Sequence, residues 1–166
     1  MQLSSKRHLS ILETRRTHWP DEAACAASAA ALAVKPGLRQ AYVELHGPLG
    51  AGKTTFVRHL LHALGVAGRI KSPTYAVVES YEPAETAPPL TIHHFDFYRF
   101  DDPQEWEDAG FRELFAGPGL KIAEWPEKAA EYLPAADLRI DIEPSAGEAR
   151  DVTWRAATPL GRELLA

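Results

Sequence analysis

Residues 47–54 read GPLGAGKT, which fits the pattern GxxxxGK[ST]. The residues before it, AYVELH at 41–46, are strand-like. Those after it, 53–64, carry Phe56, Leu60 and Leu64 on one helical stripe with Val57 and Leu61 beside it. A strand, a glycine-rich turn and a helix in that order leave few ways to fold. The turn must set a helix N-terminus against the end of a sheet strand. Gly47, Gly50 and Gly52 let the backbone wrap closely, so that successive N–H groups face phosphate oxygens. The helix start adds its partial positive charge. Lys53 is placed to reach β- and γ-phosphates, and the Thr54 hydroxyl to ligate Mg²⁺. Pro48 stiffens the entry to the loop.

The rest of the chain supplies a sheet for this unit. Strands are expected at 7–12, 75–81 (YAVVESY), 90–97 (LTIHHFDF), 120–124 (LKIAE), 138–143 and 151–157, the last two as a hairpin. Helices are expected from Asp21-Glu22 to Pro36-Gly37, over 103–108, after Pro126 and over 158–165. The alternation predicts one α/β domain over residues 1–166. Its expected form is a P-loop NTPase fold with a central, mostly parallel sheet flanked by helices and an antiparallel C-terminal hairpin. Residues 1–17 carry little pattern.

Charge and composition narrow the chemistry. With 18 Lys+Arg against 23 Asp+Glu the net charge is −5, which supplies no general counter-charge for a nucleic-acid backbone. The single cysteine, Cys25, forms no intramolecular disulfide and no cysteine zinc site, and its alanine-rich helix marks it as a packed small hydrophobe. No signal peptide or membrane-spanning run is visible, so a cytoplasmic protein is expected. The sequence contains no asparagine. That removes the Asn-Lys-x-Asp element by which guanine-specific switches read their base.

A P-loop also needs carboxylates for metal and water. Asp96 and Glu124 each end a predicted strand, where α/β sheets put their ligand crevice, and at least one of them is expected to serve Mg²⁺. Thr74, after Ser72-Pro73, is either a switch-like hydroxyl or a plain turn residue. His93 and His94 are neighbours on a strand and point to opposite faces, so they cannot share a metal. His59 and His62 share the polar side of a helix with no acid evident nearby.

GPLGAGKTT, KSPTY, HHFDFYRF and IAEWPEK, in this order, closely resemble the TsaE (YjeE) family of small bacterial P-loop ATPases. The resemblance runs from about Pro20 to the C-terminus. It implies an ATP- and Mg²⁺-dependent accessory role in forming tRNA threonylcarbamoyladenosine, with the TsaB–TsaD pair as partner and tRNA reached only indirectly. It implies that Gly47, Gly50, Ala51, Gly52, Lys53, Thr54 and Thr55 hold the nucleotide, with Trp125 near it and Glu22 framing the base. It also implies metal ligation by Thr54 and Glu124, and a catalytic set of Asp96, Lys53 and Glu124. Pro48 departs from the acidic residue common after the first loop glycine, and the 82–89 loop is proline-rich. The alternative reading is a P-loop small-molecule kinase. Its lid arginine would have to be Arg99 or Arg112, and no lid insertion is evident.

Overall fold

The computed structural model describes residues 10–73 and 75–166. Its first strand, β1 (Glu13–Trp19), runs into helix α1 (Glu22–Ala33). The Asp21 side chain caps α1 by accepting from Ala24 N at 3.0 Å, and Glu22 puts an acid in its first turn. α1 buries Cys25, Ala29 and Leu32, a spacing that keeps them on one stripe. Strand β2 (Tyr42–His46) leads through the glycine-rich loop into α2 (Lys53–Ala63).

Strands β3 (Val78–Tyr81) and β4 (Ile92–Asp96) follow, then two short helices, α3 (Pro103–Asp108) and α4 (Phe111–Ala116). The remainder is β5 (Leu120–Glu124), β6 (Leu138–Pro144), β7 (Arg150–Ala156) and α5 (Pro159–Leu165).

The sheet order is β1-β7-β6-β2-β5-β4-β3. The central strands β6, β2, β5 and β4 are parallel, as an α/β fold requires. β7 and β1 add antiparallel on one side, and β3 on the other. The expected C-terminal hairpin is β6–β7.

Each sheet face has its own core. On one, Leu45, Ile122, Ile140 and Trp154 pack with Phe56, Val57 and Leu60 of α2 and with Ala29 and Leu32 of α1. Trp19 stacks on Phe56 with ring centroids 5.7 Å apart, and Trp154 meets both edge-on. On the other face, Phe95 and Phe97 join Trp106 and Phe111 from α3 and α4, closing an aromatic core over β4 and β5. The α2 side is where the glycine-rich loop opens.

Several elements differ from expectation. Of the strand expected at 7–12, residues 7–9 lie outside the described residues. Residues 10–12 are not strand, and pairing with β7 selects 13–19 instead. β3 starts only at Val78, because Val77 N donates to Pro73 O across a turn in which Val77 has φ 68°. Pro126 opens a short 3-10 turn, Pro126–Ala129, in place of a longer helix. Helix α4 was not expected. Among the described residues no helix is long and apolar enough to cross a membrane.

Candidate functional site

β2 ends at His46, and the chain turns at once through Gly47 with φ 152°. A Cβ at Gly47 would come within 2.4 Å of the Ile142 carbonyl oxygen, so this first loop glycine is required sterically by the neighbouring strand β6. The loop closes on itself through Ala51 N, which donates to Pro48 O at 3.1 Å. Gly52 then caps α2 in a left-handed conformation. Gly50, Ala51, Gly52, Thr54 and Thr55 thus lie around one helix N-terminus, the geometry that suits an oxyanion.

Lys53 is the first residue of α2 and is almost fully buried. Its Nζ donates to Gly47 O and to Pro48 O, and lies 4.1 Å from the centroid of the Trp125 ring. Burial lowers the Lys53 pKa, while the charges of Glu124, Glu127 and Asp96 oppose the drop. Trp125 itself sits at φ 54°, a strained position for a bulky residue, with Tyr98 packed 5.0 Å away.

The two strand-end acids meet here. Asp96 and Glu124 are register partners across the parallel β4–β5 ladder, so both project from the same sheet face, the one that carries α2. Glu124 accepts from Thr54 Oγ1 at 2.7 Å and from His94 Nε2 at 2.6 Å. Asp96 accepts from Tyr98 N at 3.0 Å and from Ser72 Oγ at 3.4 Å. A hydroxyl and a carboxylate in contact at a loop of this kind form an all-oxygen donor pair of the sort a hard divalent cation takes. Among the described residues no group of three or more His, Cys, Asp or Glu side chains could hold a metal. Mg²⁺ bound beside phosphates needs only one or two protein carboxylates.

A cavity of about 220 Å³ opens beside the loop. Trp19, Glu22, Cys25, Thr55, Glu148 and Arg150 contribute to its wall. A wider hollow of about 530 Å³ lies on the opposite face of the sheet, lined by Arg139, Asp141 and Arg155 among others. There both arginines bind Asp141, and the hollow holds none of the loop residues, so the smaller cavity is the one that belongs to the site.

The family model described as "Threonylcarbamoyl adenosine biosynthesis protein TsaE" matches residues 19–152. The chain belongs to the TsaE family. Among TsaE relatives, the tRNA threonylcarbamoyladenosine biosynthesis protein TsaE of Haemophilus influenzae is 42% identical over 123 residues, covering 74% of this chain and 75% of that protein. The Bacillus subtilis protein of the same name is 36% identical over 141 residues, covering 85% and 84%. The crystal structure of Bacillus subtilis YdiB superposes with a TM-score of 0.71 at 24% identity, over 92% of both chains, which is a likeness of fold.

Most residues singled out by the TsaE motifs converge in space. Lys53, Thr54, Glu124, Asp96 and Trp125 form one cluster, and Glu22 reaches the adjoining cavity. Thr74 lies outside the described residues. His93 and His94 do face opposite ways: His93 bonds Ser80 at 2.7 Å, and His94 turns to Glu124. His59 has an acid close by after all, because packing of α1 on α2 brings Glu22 to 3.0 Å from its ring. Two contacts had no sequence signal. Fully buried His94 anchors Glu124, and Arg150 reaches from β7 to the loop carbonyls. His94 is the histidine of the HFD motif itself, but nothing in the sequence tied it to Glu124.

Proposed function

We propose that this chain binds Mg²⁺·ATP at the 47–55 loop and hydrolyses it slowly in the cytoplasm. We assign it an accessory role in forming tRNA threonylcarbamoyladenosine, acting with the TsaB–TsaD pair. The observation that carries the reading is the Thr54–Glu124 contact at 2.7 Å, at the mouth of a glycine-rich loop, with Asp96 on the same rung of the sheet as Glu124.

The division of labour follows from position. Backbone N–H groups around the start of α2 hold the phosphates, and the Lys53 ammonium offsets their charge. Thr54 and Glu124 would hold Mg²⁺, which when bound draws charge off the β- and γ-phosphate oxygens. Asp96 accepts hydrogen bonds and carries a carboxylate to the γ-phosphate end of the loop, the role of orienting and deprotonating water. The cavity beside Thr55 takes the nucleoside, with Glu22 at its wall and Trp125 beside the Lys53 ammonium. The net charge of −5 suits a protein that meets tRNA through partners and not through its own surface.

The test joins two measurements. Wild-type chain should release phosphate from ATP only with Mg²⁺, and Lys53→Ala should lose nucleotide binding. A pull-down with TsaB–TsaD should succeed in the presence of ATP. Failure to associate under any nucleotide removes the tRNA role. Strong stimulation of ADP release by an added nucleoside or sugar would favour the kinase alternative.

A further inference from the structure

We infer that Arg150 is a positioning residue that locks the phosphate loop from outside, holding its peptide planes in the orientation that turns N–H groups inward. The inference rests on the nucleotide reading above and adds a residue from a distant part of the chain.

The Arg150 guanidinium spends three donors on backbone carbonyls. Nε donates to Ala51 O at 2.8 Å, Nη2 to Gly50 O at 3.2 Å, and Nη1 to Ala149 O at 2.9 Å. Two of these acceptors are in the phosphate loop. In a planar trans peptide, the carbonyl and the following N–H point opposite ways. Tying Gly50 O and Ala51 O toward Arg150 therefore turns the N–H groups of Ala51 and Gly52 away from it. Ala51 N spends its hydrogen on Pro48 O and closes the loop. Gly52 N–H is the donor that this arrangement aims at the oxyanion site.

The loop needs such a tie. Gly50 and Gly52 both have positive φ, 78° and 103°, and glycine surrenders the most backbone freedom on ordering. A Cβ built at Gly50 would meet nothing within 4 Å, and neighbouring Leu49 is 67% exposed. Packing thus gives the loop tip little support. Arg150 is itself anchored, because its backbone pairs with Trp19 on one side and with Pro144 on the other. The planar fork of arginine matches two adjacent carbonyls in a way that a point ammonium does not.

The experiment compares wild type with Arg150→Ala by amide hydrogen exchange and by titration with ADP. Exchange should rise at residues 50–53 while amides of β6 and β7 keep wild-type protection, a split that general destabilisation would not produce. ADP affinity should fall about tenfold, the scale of one hydrogen bond involving a charged group, and free guanidinium ion at millimolar concentration should restore part of it. Wild-type exchange at 50–53 in Arg150→Ala overturns the inference. If wild type itself fails to bind ADP, the nucleotide reading falls, and the exchange comparison alone decides the role of Arg150. Should the alanine variant fail to fold, Arg150→Lys reads the same quantity: exchange at 50–53 above wild type supports the tie, and wild-type exchange refutes it.

Discussion

Replacing Glu124 by glutamine separates what this side chain does for the fold from the cation role proposed for it. Glu124 is 2% exposed and accepts two hydrogen bonds, from Thr54 and from His94. Among the described residues Nδ1 of His94 has no partner and Nε2 makes the ring's hydrogen bond, so facing a carboxylate Nε2 carries the proton. A glutamine keeps an acceptor for His94 and offers its NH₂ to the Thr54 hydroxyl, which can accept as readily as donate. Each bond then falls from charge-assisted to neutral, a loss of about 1 kcal/mol apiece. Relief from burying a charge offsets much of that. At about 2–4 °C per kcal/mol for a chain of this size, Tm should stay within about 5 °C of wild type.

Cation binding has no such compensation. Neutralising one partner of a buried charge contact costs about 2–5 kcal/mol, so the Mg²⁺ requirement for hydrolysis should rise about thirtyfold or more. Glu124→Ala should do both kinds of damage. It strands the buried His94 donor and the half-buried Thr54 hydroxyl, at about 1–3 kcal/mol for a buried donor, and leaves a cavity, lowering Tm by about 10 °C. Thermal melts and Mg²⁺ titrations of phosphate release on the three proteins decide the matter. Wild-type Mg²⁺ dependence in Glu124→Gln would refute the assignment of this carboxylate to the metal.

Three further outcomes are expected. Asp96→Ala should cut turnover about 100-fold while ADP affinity, read by equilibrium titration, changes little; unchanged turnover counts against its role. Gly47→Ala should lose about 3 kcal/mol or more of stability in denaturant melts, because its Cβ would strike the Ile142 carbonyl at 2.4 Å in a backbone region that favours glycine. Burial pushes the Cys25 thiol up to about 11, with Glu22 adding to the rise. Alkylation of the native chain at about pH 8 should then be far slower than that of the unfolded chain. The sign for stability follows. The folded thiol stays protonated where the unfolded one ionises, so stability should decline as pH rises from the unfolded value of about 8.5 toward about 11. A native thiol that labels as fast as the unfolded one would contradict the packing.

How much was legible depended on sequence distance. The loop could be read because its glycines, lysine and threonine act within one turn of chain, and the acids at 96 and 124 because each ends an apolar run. Their meeting could not be read, since it depends on β5 lying between β2 and β4. Arg150 was hidden for the same reason: only an order that sets β7 beyond β6 brings it to a loop a hundred residues earlier. The pairing of Glu22 with His59 needed α1 packed on α2, and α1's uniform alanine content gives few clues to its facing. β1 was misplaced because TRRTHW is nearly all polar, with only Trp19 buried, and its strand form comes from pairing with β7. Helix α4 escaped because six residues behind a glycine carry too little periodicity to declare themselves.

The shared rung of Asp96 and Glu124 has a consequence for how this protein fails. Their spacing is written in main-chain hydrogen bonds of β4 and β5, both wholly buried strands, and not in a mobile loop. Such strands open only with the whole fold, whereas loops open on their own at little cost. The two acids therefore have no separate melting transition: under heat or denaturant their alignment should persist until the sheet itself gives way. Partial loss of activity below that point would come from the glycine loop. The carboxylates are the permanent half of the site, and the loop is the half that can be lost and regained.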